Sequence, residues 1–143
     1  MALERKTSDS LIRAVAEEAN ISNKPIRVLA VDDEQFNLEI LVKHLKKAGF
    51  ETIEAKNGEE AWEYLQKNPA GVDIILMDKM MPGINGVELT KKIKKDQKLK
   101  HIAVIMQTAS VGTQAIVEGI EAGAYYYLTK PYAYTELLAR IEA

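Results

Sequence analysis

Five residues in this sequence carry side chains suited to chemistry and stand at comparable places in its pattern. Asp32 and Asp33 close the apolar run IRVLAV, and Asp78 closes VDIILM. Thr108 closes HIAVIMQT, while Lys130, followed by Pro131, closes AYYYLTK. A lone aspartate after a strand is a routine helix cap, as Asp33 is placed to be for a helix starting near Glu34. Three carboxylates, a hydroxyl and an ammonium in equivalent positions ask for more than capping. Like charges repel unless a cation sits among them, and an all-oxygen donor set suits Mg²⁺ rather than Zn²⁺. Neither histidine supports a zinc site: His44 falls in the polar part of a helical pattern, and His101 precedes a strand. Lysine and threonine, with backbone amides at loop starts, can hold the non-ester oxygens of a phosphoryl group. A carboxylate beside a cation and facing such donors is equipped to attack phosphorus. The chemistry is that of an acidic, metal-binding phosphate site.

These residues meet only if a fold brings the ends of the runs to one edge. From Ile26 onward the pattern supplies such a fold. IRVLAV reads as a strand, and FNLEILVKHLKKAG sets Leu38, Leu41, Val42 and Leu45 on one helical face before stopping at Gly49. FETIEA is a more polar strand, and GEEAWEYLQKN a helix ending near Pro69. VDIILM is almost wholly apolar, as a strand covered on both faces should be. INGVELTKKIKK predicts a helix with Val87, Ile93 and either Leu89 or Thr90 inward. HIAVIMQT is another buried strand, TQAIVEGIEAG a short helix closed by Gly123, AYYYLTK a strand and YTELLARIEA a last helix. Strand and helix alternate at about 20 to 25 residues per unit, the signature of an α/β fold whose parallel sheet carries helices on both faces. In such sheets ligands gather beyond the carboxyl ends of the strands, where the winding reverses. The basic run KKIKKDQKLK reads as a solvated helix end and loop in preference to a binding patch.

The whole chain is consistent with one such domain. Its 143 residues are 47% apolar and 28% charged, enough for a sizeable core. A formal net charge of -2 gives no reason to expect direct nucleic-acid binding. The absence of cysteine excludes disulfides and thiolate chemistry and fits a reducing compartment. No stretch approaches the roughly 20 apolar residues of a membrane span, and MALERKTSDS has no signal-peptide core, so a soluble cytoplasmic protein without membrane contact is expected. Residues 1–25 stand apart as an N-terminal arm or short helix, with Leu11, Ile12, Val15 and Ala19 at helical spacing.

The segments VLAVDDE, DIILMDKMMPGINGVE, TAS after a buried strand, and YYYLTKP occur in an order and spacing that resemble the receiver domain of two-component response regulators, the CheY-like family. The resemblance covers about residues 25 to 143. It implies, over residues 26–143, a (βα)5 doubly wound parallel sheet of strand order 2-1-3-4-5, the flavodoxin-like receiver fold. It also implies transfer of a phosphoryl group from a phosphohistidine on a sensor histidine kinase or phosphotransfer protein to an aspartate, with later hydrolysis. Such a domain catalyses its own phosphorylation and dephosphorylation but is primarily a signalling switch.

Matched position by position, the resemblance implies a role for each site residue, with Asp78 as the phosphoacceptor. Asp33 is a direct ligand of Mg²⁺, for which Mn²⁺ can substitute, and Asp32 acts through coordinated water. Asp78 itself and the backbone carbonyl of Met80 complete the protein's ligands. Lys130 pairs with the phosphoryl group, Thr108 moves toward it, and the amides of Lys79 and Ala109 cradle its oxygens. Thr108 and Tyr127 form the switch, and the Lys130–Pro131 bond is expected to be cis. Pro82 and Gly86 fit the loop after the nucleophile strand. Met80 and Ser110 flank the phosphoryl group and modulate rates. Neither can orient attacking water as a carboxylate or amide would, so slow self-dephosphorylation is expected; simple loop packing is the plainer reading of Met80.

Tyr125, Tyr126, Tyr127, Tyr132 and Tyr134 crowd the fifth strand and the start of the last helix. Exposed, they would make a homodimer or partner surface on the face of the fourth helix, fifth strand and fifth helix; partly buried with wet hydroxyls, they need no partner. The last helix ends at Ala143, short for the family, as in a trimmed longer protein that could carry a C-terminal output domain; a stand-alone receiver or adaptor is the alternative. Two rival functions remain. A Mg²⁺-dependent aspartyl phosphatase would want a second aspartate two residues after Asp78, where Met80 stands. A phosphorylation-independent protein-binding module would leave the acidic pocket without work.

Overall fold

Alternating apolar side chains in parallel strands bury on both faces of a sheet, and this requirement organises the molecule. The computed structural model describes residues 25–79, 83–108, 113–124 and 126–129. Its strands are β1 (Arg27–Val31), β2 (Glu51–Ala55), β3 (Ile74–Asp78), β4 (Ala103–Thr108) and β5 (Tyr126–Thr129). Between them run the helices α1 (Gln35–Lys47), α2 (Gly58–Lys67), α3 (Gly86–Lys95) and α4 (Thr113–Ala122). The strands form one sheet in the order β2-β1-β3-β4-β5, every adjacent pair parallel. The chain steps one way from β1 to β2, then the other way from β3 to β5. Its winding therefore reverses between β1 and β3, and the expected doubly wound topology is the observed one.

The period of two along each strand divides the core into two layers. Val28, Ala30, Ile74, Leu76, Ala103 and Ile105 pack with Leu38, Leu41, Val42 and Leu45 of α1. Leu29, Val31, Ile75, Met77 and Val104 pack on the other side with Ala61 and Leu65 of α2 and Leu89 and Ile93 of α3. Each such large side chain contributes about 1.5–3 kcal/mol by leaving water. β3, buried along its whole length, is held from both sides, which is why its sequence has no polar alternation.

Several boundaries differ from the sequence expectation for local reasons. β3 begins at Ile74; just before it, the Asp73 N–H donates to the Arg27 carbonyl at 2.9 Å, and the Asp73 carboxylate accepts from the Arg27 backbone N–H at 2.8 Å and guanidinium at 3.3 Å. Asp78 is the last residue of β3 and not the first residue after it. On α3, Gly86, Leu89, Thr90 and Ile93 are buried while Val87 is only half-buried. Helical neighbours lie roughly 100° apart, so a face centred on residues 86, 89, 90 and 93 carries Val87 to its flank. Asn57 and Asn85 cap α2 and α3, their side-chain oxygens accepting from the N–H of Glu60 at 2.8 Å and of Glu88 at 2.9 Å. The expected N-terminal arm and last helix lie outside the described residues. Among the described residues no helix is long and apolar enough to cross a membrane.

Candidate functional site

The reversal of winding opens a crevice beyond β1 and β3, and the acidic residues fall there. Asp32 follows β1 directly and is only 2% exposed. Its backbone N–H reaches the Ala55 carbonyl at 3.2 Å, extending the β1–β2 pairing by one residue. Its Oδ1 accepts from the Glu34 N–H at 2.9 Å and so anchors the start of α1. Glu34, not Asp33, is the N-cap residue of α1, and it makes no side-chain cap. Asp33 is therefore released from capping and stands exposed at the mouth of the crevice. Asp78, 8% exposed, ends β3 opposite Gln107 of β4.

Carboxylate oxygens of Asp32, Asp33 and Asp78 all lie within 4.8 Å of one another. Two unit charges at that spacing repel by roughly 3 kcal/mol at an effective dielectric constant near 20. A cation among them relieves this repulsion, and a donor set made wholly of carboxylate oxygens fits a hard ion such as Mg²⁺ or Mn²⁺.

The backbone beside Asp78 is fixed on two sides. The Lys79 N–H donates to the Gln107 carbonyl at 2.9 Å, and the Lys79 carbonyl accepts from the Gly86 N–H at 3.0 Å. This places the Lys79 amide, expected in the phosphate cradle, in a ladder bond that contact with a phosphoryl oxygen must share or displace. Gly86 is required by close approach: a Cβ there would lie 2.6 Å from the Asp78 carbonyl oxygen and 2.9 Å from the Lys79 Cα. The first turn of α3 thus rests directly on the backbone of the site, and within that turn Thr90 Oγ donates to the Gly86 carbonyl at 2.7 Å.

Thr108 ends β4 at the same edge as Asp78, opposite Thr129, the last residue of β5. Lys130 follows Thr129 in the sequence, so β5 leads toward the site edge. Tyr127 lies on β5 opposite Met106. Met80, Ala109, Ser110, Lys130 and Pro131, and with them the expected cis bond, lie outside the described residues.

Two contacts escaped sequence reasoning. The Lys79 ammonium, on a side chain only 12% exposed, pairs with Glu118 of α4 at 3.2 Å, tying the residue after β3 to that helix. Glu59, at the start of α2, accepts from the Ile84 N–H at 2.9 Å, in the segment returning from the site to α3. Neither has a short-range signature. An acidic residue in the first turn of a helix reads simply as a favourable partner for the helix dipole.

Comparison with known proteins gives a consistent picture. The family profile described as the response regulator receiver domain matches residues 28–142. The phosphate regulon transcriptional regulatory protein PhoB of Pseudomonas aeruginosa is 38% identical over 117 residues, which are 81% of this chain and 50% of PhoB. Chemotaxis protein CheY1 of Helicobacter pylori is 34% identical over 118 residues, 82% of this chain and 94% of CheY1. The chain thus spans half the length of the one relative and nearly all of the other. A solved CheX–CheY–BeF3–Mg²⁺ complex from Borrelia burgdorferi superposes with a TM-score of 0.76 at 30% identity, covering 82% of this chain and 87% of that one.

Proposed function

The chain belongs to the response regulator receiver domain family, and from that membership we propose that Asp78 is its phosphoacceptor and that phosphorylation there switches the domain. The observation carrying this reading is the buried Asp78 meeting Asp32 and Asp33 within 4.8 Å at the reversal of the sheet. An Asp78 carboxylate oxygen attacks phosphorus in line with the donor's P–N bond. The new P–O bond makes an acyl phosphate, and the donor imidazole departs with the electron pair of the broken bond. Asp33, Asp78 and the Met80 carbonyl would hold Mg²⁺ or Mn²⁺, with Asp32 acting through water. When bound, the ion offsets negative charge gathering on the phosphoryl oxygens. Lys130 pairs with those oxygens, the Ala109 amide donates to them, and Thr108 supplies a hydroxyl. The Thr108 hydroxyl closing on the phosphoryl group leaves room for Tyr127 to turn inward, which alters the surface around α4 and β5.

Receiver domains of this family typically partner with histidine kinases or phosphotransfer proteins, and such a protein is the donor this reading implies. Homodimerisation through α4, β5 and the tyrosine-rich segment that follows, and an output domain joined after Ala143, complete the proposal. A related receiver described in complex with BeF3 and Mg²⁺ supports the choice of ion.

The test is intact-mass measurement after incubation with a small phosphodonor such as acetyl phosphate, with and without Mg²⁺. The expected result is a gain of one phosphoryl group that requires Mg²⁺, is absent in Asp78→Asn, and decays over minutes or longer because Met80 and Ser110 cannot orient water. A gain in Asp78→Asn equal to wild type would sink the assignment, and decay within seconds would sink the proposed role of Met80 and Ser110.

A further inference from the structure

The loop that leaves the site after Asp78 returns to the body of the domain at a second anchor, on α2. At its base the Gly86 N–H meets the Lys79 carbonyl at 3.0 Å. At its shoulder Glu59 Oε1 accepts from the Ile84 N–H at 2.9 Å. Two glycines make this shoulder contact feasible. Gly58 lets α2 approach so closely that a Cβ there would stand 2.7 Å from the Ile84 carbonyl oxygen. Gly83 has a φ of +77°, and a Cβ on it would collide with the Glu59 carboxylate. The carboxylate itself is held ionised. The Ile84 N–H, above all, keeps its pKa below the usual value, with its own backbone N–H and nearby Lys92 assisting. Asn57 caps the adjacent amide, that of Glu60, so the first turn of α2 has a fixed end from which Glu59 can reach.

The geometry points to Glu59 as a positioning residue that fixes the returning limb of the site loop and so sets the domain's affinity for its divalent cation. This rests on the proposed function, in which Asp78 is a ligand: two residues after Ile84, Gly86 rests on the Asp78 carbonyl and bonds the Lys79 carbonyl. Glu59 itself neither touches the acidic trio nor supplies a ligand. Its carboxylate fixes the Ile84 backbone that leads into the Gly86 contact with Asp78, and a ligand held in place lowers the cost of binding the ion. The acidic trio stands at the ends of β1 and β3, whereas its tuning residue is on α2.

Mn²⁺ binding, followed by the electron paramagnetic resonance signal of the free ion, tests this directly. Glu59→Ala removes the acceptor, Glu59→Gln keeps an oxygen but not the charge, and Glu60→Gln removes a neighbouring charge that does not touch the loop. The dissociation constant is expected to rise roughly 3- to 10-fold in Glu59→Ala, the range expected for loss of one supporting hydrogen bond. The rise should be smaller in Glu59→Gln and absent in Glu60→Gln. Phosphorylation of Glu59→Ala by acetyl phosphate should be slow at limiting Mg²⁺ and regain the wild-type rate at saturating Mg²⁺, a rescue that general loosening of the fold would not give. If Glu59→Ala does not fold, Glu59→Gln carries the same comparison. Unchanged Mn²⁺ affinity in a folded Glu59 variant, beside a wild type that binds the ion, overturns this inference alone. A wild type that binds no Mn²⁺ overturns the metal-site reading and this inference with it.

Discussion

Lys94 shows how much a single side chain can differ from its sequence context. It sits in the run KKIKKDQKLK, where Lys91, Lys92, Lys95, Lys98 and Lys100 are exposed, as expected for a solvated helix end. Lys94 instead folds inward and donates to the carbonyls of Ile102 and Lys100. Desolvation pushes its pKa down from 10.5 to about 8. Between those two values the unfolded chain binds more protons than the folded one, so stability rises with pH across the window. The penalty of burying the ammonium is full below about pH 8 and gone above about 10.5. Thermal unfolding of wild type and Lys94→Met should therefore show wild type gaining relative stability as pH is raised from 8 to 10.5. A constant difference across that range contradicts it. At this scale the strand-terminal Asp32, Asp33 and Asp78 were legible, because a carboxylate at the end of an apolar run is conspicuous. Lys94, the Lys79–Glu118 pair and the Glu59–Ile84 bond were not. A charged side chain has the same letter whether it points to water or to a carbonyl, and these partners are set by the fold and not by spacing.

Elements carry the site through close backbone contacts more than through side chains. The N-terminal turn of α3 can rest on the Asp78–Lys79 backbone because residue 86 has no side chain. Gly86→Ala should therefore cost roughly 1–3 kcal/mol, the range for overpacking a tight contact, measurable as a lower urea midpoint. It should also weaken phosphorylation, since relief of the clash moves the Asp78 carbonyl. A variant with wild-type stability would show that the contact is looser than described. The helices themselves were readable from the sequence, and the four inward residues of α1 are those the periodicity names. The misreadings were one-residue matters of phase and boundary, Val87 on α3 and Asp73 before β3. Both concern tertiary contacts that spacing does not specify: which face of α3 is buried, and the pairing of Asp73 with Arg27.

At the scale of the molecule, topology does what no local pattern can. The residues of the acidic trio come from two strands that are distant in sequence and adjacent in the sheet, on either side of the point where the winding reverses. The basic run occupies the second half of α3 and the turn into the amino end of β4, so its later lysines stand away from the trio. A net charge of only -2 conceals that arrangement. Strand order followed from the family resemblance, whereas alternation of elements alone implied just a parallel sheet. The central claim, that the crevice exists to carry a phosphoryl group on Asp78, is tested most directly by locating the modification. Protein treated with acetyl phosphate and Mg²⁺ is reduced with borohydride, which converts an aspartyl phosphate to homoserine, and its peptides are sequenced by mass spectrometry. Homoserine is expected at position 78 and at no other aspartate; conversion at Asp32 or Asp33 with position 78 unchanged would overturn the assignment.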